Sequence, residues 1–207
     1  MEILSLSWGF PDVKEKIKNA LIEASNKGVV ILAAASNYGK TRGIAFPANL
    51  NDHVICVGAA NGLGSISLYT TDDPKLEKYA TLGEAVRAAS IRNIVRSRFL
   101  PLSRLISWVF PEDDTERRDG TSAATPIAAG IAALFIEYSR QVVNGCRDAG
   151  DPKCILNLFS EMSQDYRNQT YRFLVPWDLL NMKSIEKSRV RIRNALLASI
   201  STSWFCN

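Results

Sequence analysis

The run Val29-Val30-Ile31-Leu32-Ala33-Ala34-Ala35 constrains this chain more than any other stretch. It is β-branched at its start, small at its end and never alternates with polar residues, so a strand built from it is covered on both faces. Such strands belong to sheets sandwiched between helices. The expectation is therefore an α/β architecture with a mainly parallel sheet. The flanking segments agree. Ile3 to Ser7 reads as a preceding strand, and between the two Val13, Ile17, Leu21 and Ala24 recur at spacings of three and four. Asp12 is placed to cap that helix and Gly28 to close it, and a right-handed crossover would join the two strands.

Val54 to Ala59 reads as a further buried strand, followed by a turn at Gly62 and Gly64. From Gly120 to about Val143 an Ala- and Gly-rich stretch reads as a long helix able to lie close against the sheet. Helical patterns after Ile155, including Ile185 to Ile200, suggest that residues 144–207 form a helical extension. No internal repeat is visible.

With 46% of its 207 residues apolar, the chain can bury one sizeable core and hardly two. A net charge of +4 falls short of the dense basic field that nucleic-acid binding needs, so no nucleic-acid partner is expected. No apolar run reads as a membrane span of roughly 20 residues. Met1-Glu2 leads directly into a strand and shows no leader pattern. The four cysteines lack metal-ligand spacing. Cys56 reads as a small buried residue. Cys146 and Cys154 flank a polar loop and would be two thiols in a reducing compartment or a short disulfide in an oxidising one.

The chemistry concentrates in three stretches. In Asp119-Gly120-Thr121-Ser122-Ala123-Ala124-Thr125-Pro126, a serine hydroxyl stands where a helix begins, beside outward-pointing N–H groups. Pro126 is expected in the first helical turn, where a missing N–H costs little. Taken alone, Ser122 reads first as a helix cap, a common role for serine. In Ala35-Ser36-Asn37-Tyr38-Gly39 a carboxamide follows the long apolar strand; alone, such an Asn is most often a turn residue. In Ser5-Leu6-Ser7-Trp8-Gly9 a strand ends in a Ser-x-Gly pattern.

Together, in this order, these stretches resemble the subtilisin-like serine peptidase family, and Ala45-Phe46-Pro47-Ala48 and Val54-Ile55-Cys56-Val57-Gly58-Ala59 match its connecting segments. The resemblance implies a three-layer subtilisin-like fold, with peptidase residues in 1–143 and an insertion at about 90–118. It implies Ser122 as nucleophile, Asn37 as oxyanion donor, and Ser7, Trp8, Gly9, Ala35, Ser36, Gly120 and Thr121 as substrate-binding residues. Trp8 would narrow the specificity pocket, stack on a substrate ring, or simply pack beside the sheet. The family usually has Gly where this chain has Ser36. No metal or cofactor is expected.

A peptidase of this kind needs an Asp and a His ahead of the serine in chain order, and both should precede Ile3. The only histidine, His53, falls between Asn37 and Ser122 and reads as a surface or turn residue. The chain is thus expected to be an N-terminally truncated peptidase domain, inactive alone, whose missing N-terminal part supplies Asp and His for hydrolysis of a polypeptide through an acyl-enzyme. The alternative is an inactive peptide-binding or regulatory module. Between Leu82 and Asp119 lies an Arg-rich stretch containing Arg87, Arg92, Arg96, Arg98 and Arg104. It reads as an amphipathic surface insertion or as a docking surface for a membrane or protein partner.

Overall fold

The computed structural model describes residues 2–89, 115–142, 152–165, 170–179, 187 and 189–195. Their elements are β1 (Ile3–Leu6), α1 (Glu15–Asn26), β2 (Val30–Ala34), β3 (Ile55–Ala60), β4 (Lys78–Leu82), β5 (Val86–Ala89), β6 (Thr115–Arg118), α2 (Thr121–Val142), α3 (Pro152–Met162), β7 (Ser163–Asp165), β8 (Arg172–Leu174) and α4 (Pro176–Leu179). Arg92, Arg96, Arg98, Arg104, Cys146 and most of the Ile185 to Ile200 pattern lie outside the described residues.

The main sheet has the order β1-β2-β3-β4-β8-β7. β1, β2, β3, β4 and β8 run parallel, and β7 returns antiparallel along β8. Alternate residues of β2 serve opposite cores, as the two-residue period of a strand requires. Val30 and Leu32 meet Ala124, Ala128, Ala132, Phe135 and Ile136 of α2 and the buried side of α3. Ile31 and Ala33 meet Leu21 of α1, together with Phe46, Cys56 and Tyr171. A helix layer thus covers each face, giving the expected three-layer α/β fold. Burial pushes the Cys56 thiol up to about 12, so it stays protonated and acts as core packing.

Four expectations change. Asp12 does not cap α1: the helix starts at Glu15 after an extended Lys14 and has no side-chain cap. Glu15 lies in its first turn, where a carboxylate complements the helix dipole. Gly28 does close it, at φ +80°. Residues 115–118, assigned above to an insertion, are a strand paired antiparallel with β5 in the register Val86 opposite Arg118. The chain after residue 144 is not only helical, because β7 and β8 join the main sheet. Finally, α2 is long and apolar enough, by length and composition alone, to cross a membrane. In this fold its Ala124, Ala128 and Ala132 side is fully buried, and the small side chains let the helix backbone approach the sheet.

The loop before β4 is held by an ion pair. Lys78, whose side chain is wholly buried, places Nζ 2.6 Å from Oδ1 of Asp72 and 5.0 Å from the centroid of the Tyr171 ring. Burial by itself would raise the Asp72 carboxyl. The hydrogen bonds from Lys78 and Thr170 outweigh it and hold the group below its usual range. A carboxyl lowered in the folded state contributes stability above its unfolded pKa, and that contribution is lost as pH falls through the folded pKa. Asp72→Ala leaves the buried ammonium with the Asp73 carbonyl but no counter-charge, and is expected to cost about 2–3 kcal/mol at neutral pH, less than a fully buried pair because Asp72 is partly exposed. Urea denaturation at pH 7 and pH 3 checks this, with the gap between variant and parent shrinking at the lower pH.

Candidate active site

β2 delivers its C-terminal end to the edge of a cavity of about 580 Å³. Ala35 is still sheet-like, with its N–H bonded to the Val57 carbonyl at 2.9 Å and its carbonyl taken by the Ala45 N–H at 3.0 Å. The next residue, Ser36, has φ +117°, a region that side-chain-bearing residues rarely occupy. The backbone therefore keeps a glycine-like turn although the residue is Ser. Its hydroxyl makes a 2.7 Å hydrogen bond with Thr71 Oγ1, and its carbonyl accepts the Thr71 N–H at 3.3 Å. Those bonds offset a conformational cost of about 1–3 kcal/mol. Ser36→Ala, which keeps the strain and loses the hydroxyl bond, is expected to destabilise by about 1–2 kcal/mol, whereas Ser36→Gly should fall within about 1 kcal/mol of neutral. Thermal unfolding of the two variants in parallel distinguishes them.

Beyond this turn Asn37 reaches the start of α2. Its Oδ1 accepts the Thr121 N–H at 2.9 Å and the Thr121 hydroxyl at 3.0 Å. With the oxygen engaged on that side, the Nδ2 end is left to donate. Gly120, at φ +138°, gives the two segments room: a Cβ there would sit 3.0 Å from Asn37 Nδ2. Gly83 does the same one layer below, where a Cβ would meet Ala59 Cβ at 2.4 Å. The Gly83 carbonyl accepts both the Gly120 N–H at 2.8 Å and the Tyr69 hydroxyl at 2.7 Å. Burial pushes the Tyr69 phenol up, so it remains a donor.

Ser122 is exposed at the N-terminus of α2. The N–H groups of Ala123 and Ala124 return to the Gly120 carbonyl and that of Thr121 goes to Asn37, so the Ser122 N–H points out of the helix with no acceptor among the described residues. Its Oγ donates to the Ser7 carbonyl at 3.1 Å, and Ser7 Oγ donates to the Ser122 carbonyl at 2.9 Å. That second bond explains Pro126, which lies in the second turn of α2 and not the first. Within the helix, the Ser122 carbonyl would take the N–H four residues on, and proline has none. Ser7 fills the vacancy.

Of the residues assigned to substrate binding, Ser7, Trp8, Gly9, Ser36 and Thr121 line the cavity together with Asn37 and Ser122. Ala35 and Gly120 are buried behind it. Phe10, Tyr38 and Arg42 also line it, and sequence reasoning missed them because they sit on irregular backbone with no periodicity to expose them. A second cleft of about 520 Å³ opens on the other side of Ser122, between Val86 and Ala88 of β5 and Ala123, Pro126 and Ile127 of α2. His53 takes no part: its Nδ1 faces Ser25 Oγ of α1 at 3.3 Å.

A hydroxyl on a helix N-terminus, a carboxamide donor from a buried parallel strand and clefts on both sides of the hydroxyl are the features of a serine hydrolase site. The sequence profile of the Subtilase family matches residues 1–144, and the chain belongs to that family. It is 30% identical over 134 residues to the thermostable alkaline protease of Halalkalibacterium halodurans, covering 65% of this chain and 31% of that protein. It is 27% identical over 139 residues to subtilisin DY of Bacillus licheniformis, covering 66% of this chain and 43% of the relative. This chain thus spans well under half the length of these curated relatives. Among solved structures, the prenylagaramide maturation protease PagA superposes with a TM-score of 0.64 at 21% identity over 86% of this chain and 60% of its own. The S218A mutant of the protease domain of PatA superposes with a TM-score of 0.63 at 23% identity, over 84% of this chain and 57% of its own. At those identities the two structures speak for the fold.

Proposed function

We propose that this chain carries the nucleophile and oxyanion hole of a serine endopeptidase, and that the general base and its carboxylate partner come from polypeptide outside these 207 residues. The observation that carries this reading is the arrangement around Thr121. By holding Asn37 Oδ1, it turns the amide so that Nδ2 and the outward Ser122 N–H can converge on one developing oxyanion. Ser122 Oγ is the attacking atom. It adds to the carbonyl of an extended polypeptide, the Asp-oriented His takes its proton, and the amine leaves with that proton to give an acyl-enzyme, which water then hydrolyses. Trp8, Gly9 and Ser36 form the pocket beside the acyl carbon, and the second cleft receives the leaving side.

A specific observation favours a second reading, that of an inactive peptide-binding module: Ser122 Oγ donates to a backbone carbonyl, not to a base. Fluorophosphonate labelling decides between them. The 207-residue chain alone should not label, because a hydroxyl without a base is a weak nucleophile near neutral pH. Joined to, or mixed with, a segment bearing the Asp and His, it should label and cleave, and Ser122→Ala should remove both. Failure to label in the presence of that segment supports the binding module. Labelling of the chain alone at an ordinary rate, lost on His53→Ala, would show that the base lies within it.

A further inference from the structure

The cavity beside Ser122 is lined by a single charged residue, Arg42; its other walls are apolar, aromatic, hydroxyl or amide. The Arg42 guanidinium lies over the Tyr38 ring, 4.6 Å from its centroid. No hydrogen bond or ion pair to a carboxylate accompanies that stacking among the described residues. On another wall Trp8 and Phe10 pack with centroids 5.3 Å apart, and Lys14 Nζ sits 5.8 Å from the Phe10 ring. Asp12, one residue beyond the lining Pro11, is exposed and outside the lining. Arg42 is therefore the cavity's one charged lining residue, with Lys14 beside Phe10 outside the lining, and no acid lines the cavity to balance it.

A cation–π contact with Tyr38 occupies none of the guanidinium's N–H groups with a hydrogen-bond acceptor, so they remain able to donate. A planar fork of donors suits a carboxylate. The rest of the cavity suits the stem that would carry it: Ala34 and Ala45 are small, and Ile44 is apolar. A basic side chain entering there would meet like charge, an apolar one would leave the guanidinium without an acceptor, and an amide would supply one acceptor but no charge.

We propose that this cavity takes an acidic residue of the polypeptide, the one whose carbonyl lies between Ser122 and Asn37, and that Arg42 is the residue that selects it. This rests on the peptidase reading above, which fixes the polarity of the bound chain. Specificity is set at the rim of the cavity, where Arg42 is exposed, so it is an electrostatic preference that salt weakens.

The test separates binding from cleavage. Peptides ending in Glu, Gln, Leu or Lys with a free carboxylate are titrated into the protein carrying Ser122→Ala, at low salt, and substrates differing at the same residue are offered to the assembled enzyme. Glu should bind about two- to fivefold tighter than Gln, and Lys should bind weakest. Arg42→Gln should erase the Glu–Gln difference, Arg42→Lys should keep part of it, and Arg42→Glu should place Lys above Glu. Equal binding of Glu and Gln, or a preference that survives Arg42→Gln, overturns the proposal. An Arg42-dependent preference in an assembled protein that cleaves no peptide upholds the acidic pocket and sinks the peptidase reading. Cleavage of Glu and Gln substrates at equal rates does the reverse.

Discussion

Asn37→Ala is expected to slow acylation of the assembled enzyme by about a hundred- to a thousand-fold, the size of effect known for the corresponding donor within this same family and not one derived from the present geometry. The structure adds a control. Oδ1 of Asn37 receives both donors of Thr121, and in the proposed mechanism Nδ2 is the end that donates to the oxyanion. Asn37→Asp keeps the acceptor and replaces the donor with negative charge. It should retain the stability of the parent yet be as slow as Asn37→Ala or slower, whereas Asn37→Ala should also lose about 1 kcal/mol of stability through the abandoned Thr121 N–H. Single-turnover acylation and urea denaturation on the same preparations separate the two effects. If Asn37→Asp acylates at the parent rate, Asn37 is only a structural acceptor.

Phe159→Ala is expected to cost about 3–5 kcal/mol, a large share of what holds a domain of this size together. Phe159 lies beyond the residues that match the family profile, yet it is fully buried and packs edge-on against Tyr79 of β4 with centroids 5.4 Å apart. Its neighbours on α3, Ile155, Leu158 and Met162, share the core that α2 covers. Denaturant midpoints and near-ultraviolet circular dichroism report the loss. A change under 1 kcal/mol would mean that α3 is an appendage and not part of this core.

The β-branched run of β2 and the helical spacing of α1 were legible because burial on a regular element leaves a period in the sequence. Ser122 and Asn37 were legible because several small residues around each agree in a fixed order. Asp12 misled because a good capping residue stands ahead of the helix, yet the chain bends at Asp12 and is extended at Lys14, so the helix begins only at Glu15. Pro126 misled because the Ser122 carbonyl, left without a partner by the missing N–H, accepts the hydroxyl of Ser7 just beyond β1, and no local rule anticipates a donor 115 residues from Ser122. The strands β7 and β8 are three residues each, too short to show a period. Ser36 departs from the family at a position that needs φ above zero, and the bond that compensates comes from Thr71, which carries no motif.

The place of β8 beside β4 bears on the order in which the molecule is made. Sheet pairing between Tyr79 and Arg172, or Ala80 and Phe173, joins residues 93 apart in the chain. During synthesis, β4 therefore emerges from the ribosome and waits with one edge bare until β8 follows, at about 5–20 residues per second. Before that interval closes Ser122 is made, while the Tyr171 hydroxyl that bonds the Thr71 carbonyl, itself a neighbour of the Ser36 turn, is not. Ser122 is thus synthesised before the last bond that supports the Ser36 turn.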